Sequence, residues 1–109
     1  MNECTFVGRL SEDPKMKDVG ATSLTTFTLG IEESRKDKEG LTKKRYDYLD
    51  FEVWDSGAET VYKHCRKGDF LVVQCSARHQ KWDTPDGERK HKVNFRVNHF
   101  KIFPSNKDD

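Results

Sequence analysis

The chain has 109 residues, of which 33% are apolar and 36% charged, enough to bury one small core and not two. Its formal net charge is +1, so bulk charge alone selects no nucleic-acid partner. No apolar run is long enough to span a membrane and nothing at the start reads as a signal peptide, so a soluble intracellular protein with no membrane partner is expected.

Cys4-Thr5-Phe6-Val7 reads as a short strand ending at Gly8. Ser11-Glu12-Asp13-Pro14 reads as a turn or strand break, since proline cannot donate to a ladder. Lys15 to Thr22 is polar, an irregular or edge strand with a turn at Gly20. Leu24 to Ile31 is a strong strand, with Phe27, Leu29 and Ile31 facing in and Thr26, Thr28 and Glu32 facing out. Arg35 to Arg45 has no apolar period and contains Gly40, so it reads as a loop or the tip of a long hairpin. Tyr46 to Trp54 alternates and forms the next strand.

Ser56-Gly57-Ala58-Glu59 has the form of a capping box opening a short helix. Ala58, Val61, Tyr62 and Cys65 share one side of it, and Gly68 stops it. Asp69 to Trp82 is a strand with Leu71, Val73, Cys75 and Ala77 inward. Asp83 to Gly87 is a turn. Lys90 to Phe103 is the last strand: Val93, Phe95 and Val97 alternate, then Phe100 and Ile102 take the other parity, which requires a bulge or bend near Asn98–His99. The expected domain is 1–104, followed by a short disordered polar tail, 105–109. Three strands, a helix and two strands predict an all-β chain with one short helix. This is the OB-fold, a five-stranded Greek-key barrel with its helix between strands 3 and 4.

The outer face of 46–54 carries Tyr46, Tyr48, Asp50, Glu52 and Trp54. A dry face would not hold two unpaired carboxylates, so this face is expected to be wet and its rings exposed. Exposed rings on a strand suit stacking of unpaired bases; the competing use of such rings is to cover a subunit contact or fold over the sheet edge. Positive charge gathers in two segments. Residues 35–45 carry Arg35, Lys36, Lys38, Lys43, Lys44 and Arg45, and residues 78–92 carry Arg78, Lys81, Arg89, Lys90 and Lys92 beside Trp82. The candidate nucleic-acid-binding residues are therefore the rings Tyr46, Tyr48, Trp54 and Trp82 and the cations Arg35, Lys36, Lys43, Lys44, Arg45, Arg78, Lys81, Arg89 and Lys90. Asp50 and Glu52 are expected to pair with outward cations such as Arg78 or to meet base edges.

Cys4, Cys65 and Cys75 form an odd set without C-x-x-C spacing, so reduced thiols and no metal site are expected. No nucleophile–base pair is legible; no catalytic residue and no cofactor are expected, and the chain reads as no enzyme.

These residues resemble the bacterial and phage single-stranded DNA-binding protein (SSB) family over roughly 1–103. The resemblance lies in Met1-Asn2, Val7-Gly8-Arg9-Leu10, Asp13-Pro14, Thr26-Phe27-Thr28-Leu29, Val53-Trp54 before Ala58-Glu59, Lys67-Gly68-Asp69 leading into Leu71-Val72-Val73, and Trp82 before Asp86-Gly87. It implies an OB-fold that binds single-stranded DNA with little sequence preference during replication, recombination and repair, with rings near Tyr48, Trp54 and Trp82 stacking on bases. It also implies a homo-oligomer (dimer or tetramer), replication or recombination proteins as partners, and a cytoplasmic setting, in a bacterium or in the host of a phage. Three features depart from the family: Arg35 stands where an aromatic is common, Cys75-Ser76-Ala77 replaces a glycine-bearing segment, and Asp108-Asp109 follows no Gly/Pro/Gln linker. Two other readings of the fold are an OB module that binds protein and an OB domain that binds RNA.

Overall fold

The computed structural model describes residues 1–105. Its elements are β1 (Cys4–Leu10), β2 (Lys15–Val19), β3 (Thr22–Lys36), β4 (Thr42–Trp54), α1 (Asp55–His64), β5 (Phe70–Asp83) and β6 (Arg89–Phe103). Alternation turns one face of each long strand inward. Phe27 and Leu29 of β3, Phe51 and Val53 of β4, Leu71, Val73 and Cys75 of β5 and Val97 of β6 meet there as one core. Phe51 is its centre: the Phe27 ring stacks on it at 5.5 Å, and Phe95 and Phe6 lie 5.5 and 5.8 Å away. Aromatic contacts at these spacings favour offset and edge geometries.

The sheet runs β1-β5-β6-β4-β3-β2, and pairing of β1 with β3 through Arg9↔Gly30 and Leu10↔Leu29 closes five strands into a barrel. The polar segment from Lys15 is a regular sixth strand, laid on the free edge of β3. The helix stands between the third and fourth barrel strands, as an OB-fold requires. Ala58 and Val61 are fully buried beneath it, and the buried Thr25 hydroxyl donates to the Ala58 carbonyl at 2.7 Å.

The first strand does not stop at Gly8. A side chain there would place Cβ 2.8 Å from the Gly30 carbonyl oxygen, so the bare residue is what lets β1 cross β3 and close the barrel. The bulge expected in the last strand is present. Gln74 pairs with His99 but Cys75 pairs with Val97, leaving Asn98 as the extra residue.

Three local expectations are corrected. The helix begins at Asp55, which takes φ 61°, and its N-cap is Trp54 with no side-chain cap, so Ser56 lies inside the first turn. The Thr22 hydroxyl bonds the Asp55 carboxylate instead. Tyr62 is exposed rather than buried with Ala58 and Val61, because a helix of ten residues covers the barrel end with only a narrow stripe. Val93 keeps its inward parity but is exposed, since it lies beyond the barrel. Ser105, placed at the head of the tail, donates its backbone N–H to Asp69 Oδ1 at 2.8 Å; the rest of that expected tail, 106–109, lies outside the described residues.

Both cationic segments are mostly strand. β3 and β4 stay paired out to Lys36↔Thr42, where the Asp37 carboxylate accepts the backbone N–H groups of Glu39 and Leu41 and ties the turn. β5 and β6 stay paired out to Asp83↔Arg89. These two projecting arms raise the radius of gyration to 16.2 Å. A closely packed chain of this length would give about 13 Å.

Candidate functional site

β4 presents Tyr46, Tyr48, Asp50, Glu52 and Trp54 along one outer face, spanning roughly 20 Å from Tyr48 to Trp54 at the rise of a strand. Tyr48 pairs with Gly30, and a Cβ on that glycine would meet Tyr48 Cε1 at 3.0 Å. The ring therefore lies against bare backbone, with 63% of the residue open to solvent. Tyr46 is 49% exposed and its hydroxyl donates to Glu32 Oε1 at 3.3 Å.

The two acids between the rings differ. Asp50 is exposed, accepting the Thr28 hydroxyl at 2.8 Å and pairing with Lys92 at 3.5 Å. Glu52 is only 5% exposed, which overturns the expectation of a uniformly wet face. Three donors make that burial tolerable: Trp54 Nε1 at 3.1 Å, Asn94 Nδ2 at 2.9 Å and Arg96 Nε at 3.0 Å. Burial pushes the Glu52 carboxyl upward, but these hydrogen bonds and the Arg96 charge outweigh it, so the group sits below the ordinary glutamate range. Trp54 is half-buried, its ring 5.7 Å from the Arg96 guanidinium. Arg78, the expected partner of the acids, bridges neither; its register partner is Asn94, and Arg96 and Lys92 take its place.

Register sorts the candidate cations. On the β3–β4 arm, Lys36 and Lys44 share the parity of Tyr46 and Tyr48, while Arg35, Lys43 and Arg45 take the opposite face. On the β5–β6 arm, Arg78 and Lys90 share the face of Trp82, and Lys81 and Arg89 lie behind it. Trp82 is 47% exposed and pairs directly with Lys90. Several candidates already hold surface ion pairs: Lys43–Asp37, Lys44–Glu32, Arg45–Asp47, Arg89–Asp83 and Lys90–Glu88. Such exposed pairs are weak, so these cations can exchange partners at little cost.

The strands thus expose rings on β4 and on the β5–β6 arm and carry part of the positive charge on the same strand faces. Chemically this arrangement can stack planar groups and neutralise phosphates. Among the described residues no three His, Cys, Asp or Glu side chains converge as a metal-holding group. Reading the sequence alone missed Asn94 and Arg96, and counted Lys92 only within the cationic segment 78–92. Their parity was legible, but not that β6 runs parallel beside β4 through Phe51↔Phe95 and Glu52↔Arg96.

A family model described as "Single-strand binding protein family" matches residues 1–103. Single-stranded DNA-binding protein 2 of Clostridium acetobutylicum is 31% identical over 93 residues, covering 84% of this chain and 68% of that protein. The single-stranded DNA-binding protein of Xylella fastidiosa is 29% identical over 92 residues, with 84% and 56% covered. This chain therefore spans between about half and two thirds of such relatives. A Plasmodium falciparum SSB solved in complex with ssDNA shares the fold at a TM-score of 0.82 and 23% identity, covering 96% of this chain and 95% of that one. The single-stranded DNA-binding protein of Thermus aquaticus, solved as a deletion mutant, gives 0.83 at 18% identity, with 94% and 50% covered.

Proposed function

The chain belongs to the single-strand binding protein family, and from that premise we propose that it binds single-stranded DNA with little sequence preference, guarding it during replication, recombination and repair. The observation that carries this reading is the open ring set, Tyr46, Tyr48 and Trp82, standing on strand faces beside Lys36, Lys44, Arg78 and Lys90. Stacking on such rings is worth about 1–3 kcal/mol per base and is indifferent to sequence. Phosphate contacts add a sequence-independent term that weakens as salt rises. Duplex DNA stacks its bases on one another, so only the phosphate term is open to it.

Trp54 serves as a half-covered platform steadied by Glu52 and Arg96. Arg35, Lys43, Arg45, Lys81 and Arg89 guide phosphates from the reverse faces of the arms, a weaker role than that of the ring-face cations. The chain acts as a binding protein in the cytoplasm, not as an enzyme, as a DNA-binding family suggests. It works as a homo-oligomer: Val7, Phe70 and Phe103 remain exposed on the outer face of β1, β5 and β6, a surface suited to a second copy.

Fluorescence anisotropy with labelled oligo-dT, the matching duplex and oligo-U at two salt concentrations tests the reading. Tight, salt-weakened binding of oligo-dT with much weaker duplex binding is expected. Equal affinity for duplex and single strand contradicts it, and a preference for oligo-U moves the assignment to RNA.

A further inference from the structure

β4 and β6 pair only at Phe51↔Phe95 and Glu52↔Arg96, then part. Where they part, a groove of ≈ 300 Å³ opens beside β3. Its walls include Thr26, Thr28, Asp50, Lys92 and Asn94, with Phe51 beneath. It lies on β4 between the ring positions Tyr48 and Trp54, where a strand stacked on both would carry intervening bases.

Hydrogen-bond accounting shows what the groove lacks. The Thr28 hydroxyl donates to Asp50, and Asn94 Nδ2 donates to Glu52. Glu52 can only accept, which fixes the Asn94 amide with its oxygen turned the other way. Asn94 is 7% exposed, and its Oδ1 is buried with no partner. Buried oxygens without a donor are uncommon in folded proteins. The Asn94 amide oxygen, the Thr28 hydroxyl oxygen and Asp50 are thus left as acceptors; of the two lysines on the walls, Lys92 is held at Asp50, and Lys15 stands on β2, three strands from Asn94 in the sheet order.

We infer that this groove is a base-edge subsite in which the Asn94 amide oxygen accepts a hydrogen bond from an exocyclic amine, so that it favours cytosine over uracil. The inference rests on the reading of the chain as a single-strand binder and adds to it one position of chemical preference. Cytosine carries an amino donor at C4 where uracil carries a carbonyl acceptor, and a bare N3 where uracil carries an N–H; the contact proposed here reads the C4 group. A carbonyl placed against Asn94 would leave its Oδ1 unpaired. Glu52 is the positioning residue, since it sets which end of the Asn94 amide meets the base.

The test compares oligo-dC with oligo-dU of equal length at neutral pH and one salt concentration. The wild-type protein is expected to bind oligo-dC about tenfold more tightly, the discrimination of one edge contact. Asn94→Leu is expected to bring the two affinities within about twofold. Glu52→Gln is the second variant. The new amide keeps its oxygen toward Trp54 and Arg96 and offers its NH₂ to Asn94, which turns over and points its own NH₂ toward the base. The preference should then shift toward oligo-dU. Equal wild-type affinities, or a cytosine preference that survives Glu52→Gln or Asn94→Leu unchanged, overturn the subsite and leave the proposed function standing. Failure to bind either oligonucleotide overturns both.

Discussion

Removing the Glu52 carboxylate should cost the fold measurably, and by an amount its surroundings set. Glu52→Ala strands three donors: Trp54 Nε1, Asn94 Nδ2 and Arg96 Nε. Arg96 keeps 39% of its side chain in water and can turn outward, so its loss is largely screened. The buried Asn94 amide and the half-buried indole cannot re-solvate as freely, and each unsatisfied group costs about 1–3 kcal/mol. The expected loss at neutral pH is about 2–4 kcal/mol, or roughly 10–20 °C in Tm for a domain of this size. Glu52→Gln keeps an acceptor for Trp54 and Arg96 and should cost about 1 kcal/mol.

The two variants also differ from wild type in acid. Glu52 titrates lower folded than unfolded, so the unfolded chain binds the extra proton. Its contribution is complete above the unfolded glutamate value, about 4.3, and is lost as pH falls from there through the depressed folded value. Denaturant melts of all three proteins across that range should show this share of the acid decline in wild type only. A Glu52→Ala protein within about 0.5 kcal/mol of wild type at neutral pH refutes the account of the network, as does an undiminished acid decline in Glu52→Gln.

Gly8→Ala should destabilise by about 1–3 kcal/mol in the same melts, because its Cβ meets the Gly30 carbonyl, which cannot rotate away. Gly30→Ala should leave the melt nearly unchanged yet weaken oligo-dT binding, since its Cβ presses on the Tyr48 ring; Tyr48→Ala should weaken it by about 1–3 kcal/mol. Burial raises the Cys65 and Cys75 thiols to about 11, so alkylation of the native protein near neutral pH should label Cys4 first and reach all three cysteines only on unfolding, as counted by mass spectrometry.

The barrel could be read from the chain because its signals are local. Alternation at Phe27–Ile31 and Leu49–Val53, the parity change after Val97, and the Asp83–Gly87 turn each act over a few residues. The helix start failed because Ser56 looks like a cap, whereas Asp55 enters at positive φ and bonds Thr22, a residue 33 positions away. The rings were legible as one face of a strand. The burial of Glu52 was not, because it depends on Asn94 and Arg96, brought over by a parallel pairing that no local pattern announces. The cations were found as segments, but only register separated Lys36 and Lys44 from Arg35, Lys43 and Arg45.

Tryptophan fluorescence during titration with oligo-dT addresses the stacking rings themselves. The two indoles differ in cover, Trp82 open and Trp54 half-buried, so each variant should remove its own share. Quenching in wild type, reduced in Trp82→Ala and again in Trp54→Ala, is the predicted result. Emission that stays constant while anisotropy reports saturation would mean the bases never reach the rings, and the account would fail.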